Sequence, residues 1–315
     1  MKVFVLGASG NTGKSIIDGL NESSTPFDIT ALTRPSSLDS PKSQALRDAG
    51  IKVVAADLSG PQEELVAVLK GADVVISAVT TSALKEQIPL ANAAKAAGVK
   101  RFVPCSFATV SAPREVMKLS EIKDDIFAHI KALYLPYTSI DVGWWHQLTS
   151  PGVPSGRLTD ALVFPASEIF GNGEVPSAVT NVKDIGRFVA RIIADERTLN
   201  KQVFAYGEVL TQNQIWDILE RASGEQVERI YVSDEEVNKR VAAGREALAA
   251  APDDMSKIMG LIAPEYHLSW GIRGDNTPEY AKYLGYLDAR ELYSDLQHTK
   301  FSEFIEAALK EKEKK

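Results

Sequence analysis

Cysteine is almost absent from this chain, which has one, Cys105, among its 315 residues. A lone cysteine excludes an intramolecular disulfide and a cysteine cluster that holds zinc, and it is typical of a reducing, intracellular location. The four histidines are scattered without the spacing of metal ligands. We therefore expect no metal site.

Long apolar runs and excess positive charge are missing as well. No stretch of about eighteen apolar residues is present to span a bilayer, and no basic leader precedes the first apolar run. The net charge of -7 and the pI near 5.3 predict a surface that repels nucleic acid and anionic lipid. We expect a cytoplasmic protein, a monomer or homodimer, with no nucleic-acid or membrane partner.

Short apolar runs of β character alternate with helical patterns through the first half of the chain. The predicted strands are Lys2–Leu6, Asp28–Thr33, Lys52–Ala55, Val74–Ser77, Arg101–Cys105 and Thr138–Val142. Such alternation indicates βαβ units, and strands that are apolar on both faces indicate helices on both sides of the sheet. The sequence predicts an α/β fold with a doubly wound, Rossmann-type parallel sheet and a ligand at the carboxyl ends of its strands.

The pattern changes after Trp145. The segment Thr149–Gly156 carries two prolines and two glycines, which indicate a boundary. A helical segment, Val182–Ala194, and a strand, Gln202–Tyr206, resemble one more layer of the first domain. Further helices are predicted at Gln214–Ala222, Asp234–Ala251 and Ser302–Lys312. We predict a Rossmann domain of residues 1–148 and 177–212, and a smaller, mostly helical C-terminal substrate-binding lobe of residues 149–176 and 213–315.

Three glycines at three-residue spacing separate the first predicted strand from an amphipathic helix. Gly7 allows a sharp turn, Gly10 lets the backbone approach a pyrophosphate, and Gly13 lets helix and strand pack closely. The start of the helix offers free N–H groups to the anion. The predicted dinucleotide loop consists of Gly7, Ser9, Gly10, Asn11, Thr12 and Gly13.

The end of the second predicted strand favours NADPH over NADH. Arg34 there is followed closely by Ser37, and a guanidinium with a nearby hydroxyl suits the 2′-phosphate of NADPH. The rival residue, Asp28, opens the same strand and so lies roughly 16 Å from the ligand end. An ordinary surface arginine is the alternative interpretation of Arg34.

Two further strand ends are predicted to contact the cofactor by their position in the fold. Asp57, after the third strand, is placed to meet the adenine edge, and a helix cap is the alternative. Ser77, Ala78 and Val79, at the end of the fourth strand, are placed to pass under the pyrophosphate and ribose.

Lys123 is the candidate for proton transfer. The usual short-chain dehydrogenases pair a tyrosine with a lysine four residues later, but none of the nine tyrosines here has that neighbour. Lys123 shares a helical stripe with Phe127 and Ile130, and desolvation at the edge of a buried face favours the neutral amine that acid–base catalysis needs. A lysine whose stem only covers apolar surface is the alternative.

Five segments together resemble one protein family. They are Gly7–Gly13, Ala93–Pro104, Pro136-Tyr137-Thr138 after Lys123, Asp184-Ile185-Gly186 and Arg273–Asn276. The chain is similar to NmrA-like atypical short-chain dehydrogenase/reductases, close to the isoflavone reductase and phenylcoumaran benzylic ether reductase group and especially to its fungal members. The resemblance implies a Rossmann domain with a small substrate domain, NADPH as cofactor, and the lysine at position 123 as general acid/base.

The chain departs from the plant members of that family at two strand ends. Cys105, Ser106 and Phe107, which we place at the cofactor, stand where plant reductases carry Ser-Glu-Phe, and Cys105 is expected to be buried packing rather than a nucleophile. Val142–Trp145 replaces Ser-Asn-Cys-Phe. The substrate is therefore not expected to be a plant lignan or isoflavone.

Trp144, Trp145 and His146 follow a strand end on the ligand side, so they are predicted to contact the substrate. Two indoles can form a stacking wall for an aromatic ring. Tryptophans that pack the two lobes together are the alternative.

These observations favour an NADPH-dependent reductase of a conjugated or aromatic small molecule, such as an enone, quinone or quinone methide. NADPH delivers the hydride, and Lys123 exchanges a proton with the substrate oxygen. A non-catalytic NADP(H) sensor that binds a protein partner and a redox-neutral isomerase or cyclase on the same fold are the alternatives.

Overall fold

The structure of the protein is a computed structural model that describes residues 1–313. The strands are β1 (Lys2–Leu6), β2 (Asp28–Thr33), β3 (Lys52–Ala55), β4 (Val74–Ser77), β5 (Arg101–Val103), β6 (Thr138–Asp141), β7 (Trp144–Trp145), β8 (Ile169–Phe170), β9 (Ser177–Thr180), β10 (Lys201–Phe204), β11 (Glu208–Leu210), β12 (Tyr231–Val232) and β13 (Leu287–Asp288).

Helices connect these strands and form most of the C-terminal third. They are α1 (Asn11–Glu22), α2 (Pro41–Asp48), α3 (Gln62–Leu69), α4 (Gln87–Ala96), α5 (Lys118–Ala132), α6 (His146–Thr149), α7 (Ile185–Ala194), α8 (Gln212–Ser223), α9 (Asp234–Ala250), α10 (Met255–Tyr266), α11 (Pro278–Tyr283), α12 (Ala289–Leu292) and α13 (Phe301–Glu313). A π-helix, His267–Arg273, continues from α10.

The central sheet is parallel and runs in the order β3-β2-β1-β4-β5, then β6-β10-β13. A parallel bridge between Phe102 and Tyr137 joins the two groups, and the Phe102 amide donates to the Pro136 carbonyl at 2.8 Å. One apolar core, with α1 and α7, covers one face, and a second, with α3, α4 and α5, covers the other. The predicted doubly wound Rossmann-type fold is confirmed.

Two glycines bring α1 and α7 into backbone contact. A Cβ on Gly186 would lie 1.7 Å from the Ser15 carbonyl oxygen, and one on Gly19 would lie 2.1 Å from the Gly186 carbonyl carbon. The Ser15 hydroxyl accepts a hydrogen bond from the Gly186 amide at 2.9 Å. Next to this contact, Asp184 accepts from the Thr299 amide at 2.7 Å. The Asp184-Ile185-Gly186 motif therefore docks a helix and a C-terminal segment rather than a ligand.

The six strands predicted in the first half are all present, and β5 and β6 end one or two residues before their predicted ends. The predicted helices of the last third correspond to α8, α9 and α13. Among residues 1–313, no helix combines the length and apolar character needed to cross a membrane.

Three short strands pair across the predicted domain limits, which stay a prediction. Strand β13 lies inside the segment 213–315 assigned to the substrate lobe, yet it pairs with β10 at the edge of the parallel sheet. Strands β9 and β11 lie in the segment 177–212 assigned to the Rossmann domain, yet they form a separate sheet with β7. Strands of two to four residues carry too little periodicity to show which sheet they join.

Candidate active site

The turn between β1 and α1 has the shape that a dinucleotide needs. Gly7 has φ +79°, and a Cβ there would lie 2.3 Å from the Ala78 carbonyl oxygen. A Cβ on Gly13 would lie 2.0 Å from the Gly7 carbonyl oxygen, whereas one on Gly10 meets nothing closer than 3.4 Å. The structure thus requires Gly7 and Gly13 for packing and leaves the space beside Gly10 open.

The first turn of α1 is free to receive an anion. Its N-cap, Gly10, has no side chain to accept a hydrogen bond from the first helical amides, and no acidic residue lies in the first turn. Unpaired N–H groups at a helix start carry a partial positive charge that favours phosphate. The residues present therefore fit the pyrophosphate of a dinucleotide.

The predicted 2′-phosphate site lies at the surface beyond β2. The Arg34 side chain is exposed, and its backbone carbonyl accepts from the Ser37 amide at 2.9 Å, which sets a tight turn. The Ser37 carbonyl accepts from the Ser43 hydroxyl at 2.7 Å. A guanidinium and a serine held within one turn can bind one phosphate together.

Asp57 and Ser77 lie at the ends of the third and fourth strands, where cofactor contacts are predicted. An oxygen of the Asp57 carboxylate accepts from the Ser59 amide at 2.9 Å, so this side chain caps its own turn, while α3 begins later with Pro61 as its N-cap. Ser77 is fully buried, and its hydroxyl has no hydrogen-bond partner. Ala78 and Val79, which follow it, line the cavity described below, so the passage of this strand end under the pyrophosphate and ribose stays a prediction.

A cavity of about 720 Å³ opens at the carboxyl ends of the central strands. It brings together eleven of the predicted site residues, Gly10, Asn11, Thr12, Ala78, Val79, Cys105, Ser106, Phe107, Lys123, Trp144 and Trp145. Its lining does not include Gly7, Ser9, Gly13, Arg34, Ser37, Asp57, Ser77 or His146. The cavity therefore spans the region between the end of the glycine loop and the aromatic side chains, and Arg34 lies outside it.

Lys123 is half-buried on α5, on the cavity wall. Its Nζ donates a hydrogen bond to the Ser106 carbonyl oxygen at 2.8 Å. An ammonium has three N–H donors, so two are left for a ligand in the cavity. The amine is thus held by the loop after β5 instead of extending into bulk solvent.

Cys105 lines the same cavity as Lys123, and its thiol is not reactive near neutral pH. Burial raises the pKa of its thiol to about 11, although the charge of Lys123 acts in the opposite direction. The thiol donates to the Val79 carbonyl oxygen at 3.3 Å. Because the thiolate is the reactive form, a thiol of this pKa is not a nucleophile near neutral pH.

Aromatic side chains form part of the cavity wall. The Trp144 ring lies 4.8 Å from the Tyr266 ring and is stacked at 5.7 Å on Trp270, measured between centroids. Trp145 is anchored, because its indole N–H donates to the Phe107 carbonyl oxygen at 3.3 Å. This arrangement is compatible with a wall for the substrate and with a packing contact between the lobes, since Trp144 lines the cavity and also packs against rings from the C-terminal third.

His146 does not line the cavity, which corrects its predicted contact with the substrate. Its ring is fully buried and lies edge-on to Phe301 at 5.3 Å. Burial lowers the pKa of this imidazole to about 3, and neither ring nitrogen has a hydrogen-bond partner. The chain passes from β7 into α6 at His146, and the imidazole also packs against Phe304, with 5.6 Å between ring centroids.

Several residues of the cavity wall were not predicted from the sequence. Ile262 and Tyr266 of α10 and His267 and Trp270 of the π-helix all line it. The apolar residues of α10 carry a helical signal, but Pro264 in its last turn and the π-helix that follows interrupt the regular spacing. In the sequence, this part of the cavity wall is indicated only by aromatic residues that do not follow a regular helical spacing.

The Arg273–Asn276 motif holds the loop after β5 against strand β9. The Asn276 amide nitrogen donates to the Ser177 hydroxyl and the Ala178 carbonyl oxygen, both at 2.8 Å. Its amide oxygen accepts from the Val110 amide at 3.2 Å. Gly143 lies against the same strand, where a Cβ would be 2.6 Å from the Ala178 carbonyl oxygen. Asn276 therefore fixes the loop after β5 relative to the strand beside Trp144.

Comparisons with known proteins agree with this architecture. A model of the NmrA-like family matches residues 1–305. Asnovolin J 5′,6′-dehydrogenase of Aspergillus novofumigatus is 46% identical over 312 residues, which cover 98% of this chain and 95% of that protein.

Two solved structures show the same fold over the whole chain. An isoflavone reductase is 27% identical, with a TM-score of 0.77 and coverage of 97% of this chain and 98% of that chain. The binary complex of leucoanthocyanidin reductase with NADPH from Vitis vinifera is 22% identical, with a TM-score of 0.78 and coverage of 98% and 99%.

The resemblance inferred from the glycine loop, Lys123 and the C-terminal motifs is confirmed by the family match and by the fungal dehydrogenase. These relatives are named as dehydrogenases and reductases, which confirms the predicted class of enzyme. The chain belongs to the NmrA-like family and is an oxidoreductase of its isoflavone reductase-like group.

Proposed function

We propose that the protein is an NADPH-dependent oxidoreductase that transfers hydride between the nicotinamide and a conjugated or aromatic carbon of a neutral small molecule. Lys123 is its general acid/base. The observation that carries the proposal is one cavity that joins the end of the glycine loop, Lys123 and an aromatic wall. Hydride transfer needs cofactor, proton carrier and substrate in one enclosed space.

The cofactor fits the chain in two places. The open first turn of α1 suits the pyrophosphate, and Arg34 with Ser37 suits the 2′-phosphate of NADPH. When bound, NADPH supplies the hydride. The NADPH held by leucoanthocyanidin reductase, which shares this fold, supports the same cofactor for this chain.

The lining of the cavity favours an uncharged substrate with rings. Among residues 1–313, its charged side chains are Lys123 and Glu168, and Glu168 is paired with Arg240 at 2.7 Å. The walls are otherwise apolar, aromatic or neutral polar, and the volume accommodates a molecule of several fused rings. An enone, a quinone or a quinone methide has the required electrophilic carbon and an oxygen for the lysine.

Lys123 moves the proton in either direction of the reaction. During reduction its ammonium donates a proton to the substrate oxygen while the hydride adds to the conjugated carbon. During dehydrogenation the neutral amine accepts that proton while the hydride leaves the substrate. The name of the 46% identical relative, a dehydrogenase, supports the second direction.

The test compares Lys123→Ala with Lys131→Ala, a lysine of the same helix whose Nζ lies over the Phe127 ring at 4.1 Å and outside the cavity lining. Binding is followed by NADPH fluorescence, and turnover by NADPH absorbance with a panel of enones and quinones. We expect Lys123→Ala to lose about 100-fold or more in kcat, as for a general acid, while keeping its NADPH affinity. Lys131→Ala should match the wild type.

Three other outcomes would contradict the proposal. Unchanged turnover of Lys123→Ala removes the lysine from the mechanism. NADPH binding without consumption across the panel favours a sensor of the nucleotide. Product formation without stoichiometric NADP+ favours a redox-neutral isomerase or cyclase.

A further inference from the structure

Glu265, in the last turn of α10, is a buried carboxylate that does not line the cavity. It is 2% exposed. One of its oxygens accepts a hydrogen bond from the Lys118 backbone amide at 2.6 Å, and the other accepts from the Arg245 Nε at 2.9 Å. Lys118 is the first residue of α5, the helix that carries Lys123. A side chain of α10 is therefore bonded directly to the start of the lysine helix.

This carboxylate supplies a cap that α5 does not provide for itself. The N-cap residue, Met117, makes no side-chain hydrogen bond to the first turn. The first amides of a helix have no partner inside the helix, and the helix dipole favours a negative charge beside them. A capping oxygen usually belongs to the N-cap residue, whereas here it belongs to Glu265, which lies 147 positions beyond Lys118. The start of α5 thus depends on the position of α10.

Arg245 of α9 adds to this connection by holding the residues that precede α5. One of its guanidinium nitrogens donates to the carbonyl oxygens of Glu115 and Val116, both at 2.9 Å. Glu115 has φ +67°, a left-handed conformation that is unfavourable for a residue with a side chain. Contacts with the C-terminal third therefore support a backbone conformation that this segment would not favour alone.

Other contacts of the segment do not fix α5 relative to α10. The Glu121 carboxylate accepts from the Glu115 amide at 3.3 Å and pairs with the Lys118 amine at 3.0 Å, so it joins the segment only to itself. Apolar side chains of α5 and α10 share one core, but apolar burial has no preferred direction. Hydrogen bonds to a carboxylate are directional, so Glu265 sets the register between the two helices.

Both helices that Glu265 joins line the cavity. Lys123 follows in the second turn of α5, about 7.5 Å along the helix from its first residue. Tyr266, the neighbour of Glu265 in α10, lies 4.8 Å from the Trp144 ring of the aromatic wall, measured between centroids. A displacement at the start of α5 is carried along the helix, so it moves the Lys123 amine relative to that wall.

We propose that Glu265 is a positioning residue that acts through Lys123: its carboxylate fixes the start of α5 against α10 and so holds the amine in register with the wall that receives the substrate ring. Arg245 supports this anchor by pairing with the carboxylate. The hydrogen bonds of the anchor are independent of the proposed function. Its catalytic consequence rests on the proposed function.

Hydrogen exchange tests the anchor without substrate. The free enzyme is exchanged into heavy water, and peptide mass spectrometry follows the peptides that cover the first turn of α5. We expect Glu265→Ala to exchange there about tenfold faster than the wild type, because the first amide loses its buried partner and the turn opens more often. Wild-type exchange in these peptides overturns the proposal.

Turnover tests the consequence for catalysis. With the panel of enones and quinones, we expect Glu265→Ala to lose about 10- to 100-fold in kcat, since a displacement of about 1 Å has an effect of that size. NADPH affinity should stay unchanged. Slower proton transfer also raises the solvent deuterium isotope effect on kcat, which a smaller fraction of folded enzyme does not alter. A wild-type kcat, or a lower kcat with an unchanged isotope effect, contradicts the positioning role.

Glu225→Ala is the matched control. The Glu225 carboxylate accepts from the Ser155 amide at 2.9 Å and from the Arg157 guanidinium at 2.7 Å, so its partners resemble those of Glu265. None of these three residues lines the cavity. We expect Glu225→Ala to keep the wild-type kcat, isotope effect and exchange at the start of α5. An equal loss of kcat in Glu225→Ala would show a general effect of stability and refute the role of Glu265.

Arg245→Gln supplies a second test if Glu265→Ala does not fold. The Arg245 side chain is 42% exposed, so its replacement disturbs the core less than that of the buried glutamate. Glutamine still offers an N–H donor to the carboxylate but lacks the guanidinium that reaches the Glu115 and Val116 carbonyls. We expect faster exchange before α5 and a loss of about threefold in kcat. Wild-type values of both quantities would refute the anchor.

Failure of this inference can be told apart from failure of the proposed function. If Lys123→Ala retains turnover, the lysine is not catalytic, yet faster exchange in Glu265→Ala still shows the anchor. If Lys123→Ala is inactive and Glu265→Ala keeps the wild-type kcat, the positioning role alone is wrong.

Discussion

Two glycines of the same loop are predicted to respond in opposite ways to alanine. In Gly13→Ala the new Cβ meets the Gly7 carbonyl oxygen at 2.0 Å and the Ala8 Cα at 2.7 Å, and both are backbone atoms that cannot rotate away. In Gly10→Ala the nearest atom is 3.4 Å from the Cβ, and the backbone, with φ -81° and ψ 172°, suits any residue. Gly13→Ala therefore disrupts packing, whereas Gly10→Ala only fills the space that the cofactor needs.

The magnitudes follow from these contacts. Alanine gains about 1 kcal/mol over glycine inside a helix, whereas overpacking costs about 1–3 kcal/mol and lies at the upper end against rigid backbone. We therefore expect Gly13→Ala to lose about 2 kcal/mol of unfolding free energy and about 3 °C in Tm. Gly10→Ala should change stability by less than about 0.5 kcal/mol and weaken NADPH binding about tenfold, or about 1.4 kcal/mol.

Thermal and urea unfolding without nucleotide measure the first quantity, and NADPH fluorescence titration of the folded proteins measures the second. Equal losses of stability in Gly10→Ala and Gly13→Ala would show that the space beside Gly10 is not open. Wild-type NADPH affinity in Gly10→Ala would show that the pyrophosphate lies elsewhere.

Three further predictions concern the outer cofactor site, the aromatic wall and a buried imidazole. Arg34→Ala should weaken NADPH binding about tenfold or more and leave NADH binding unchanged, since a hydrogen bond to a charged group is worth about 1.5–3 kcal/mol. Equal losses of affinity in the NADPH and NADH titrations would contradict a 2′-phosphate contact. Trp144→Ala should raise KM for a ring substrate by about tenfold without affecting NADPH affinity, because the ring lost is a wall of the cavity; unchanged steady-state kinetics argue against that wall. Burial lowers the pKa of His146 to about 3. Below about pH 6.5 the unfolded state therefore binds a proton that the folded state does not. The contribution of His146 to folding stability is complete above that pH and is lost as the pH falls toward 3. His146→Leu should flatten this decline in urea unfolding between pH 7 and 4, and an undiminished slope would assign it to other groups.

Local patterns in the sequence predicted the central sheet and the dinucleotide loop. Strands such as β1 and β4 are continuous apolar runs, and the roles of Gly7 and Gly13 follow from their spacing, because a turn and a close approach depend on neighbouring residues. Lys123 emerged from the periodicity of its own helix together with the family resemblance. The strands and the loop needed only short stretches of chain, whereas the resemblance rests on five segments between Gly7 and Asn276.

The surroundings of Lys123 depended on the tertiary structure. The Ser106 carbonyl that accepts from Lys123 belongs to the loop after β5, and Tyr266 reaches the cavity from a helix that ends in a proline-interrupted turn and a π-helix. The change from strand to helix at His146 turned its side chain away from the cavity although its neighbours Trp144 and Trp145 line it.

The amino-acid sequence is thus enough to predict the main strands and helices and the loop that suits a dinucleotide, because backbone propensity and apolar periodicity act over a few residues. The distant side chains around the lysine, and the short strand β13 that completes the sheet, depend on the tertiary structure. Those contacts depend on how whole layers pack, and a segment of two or four residues carries no signal strong enough to specify its partner.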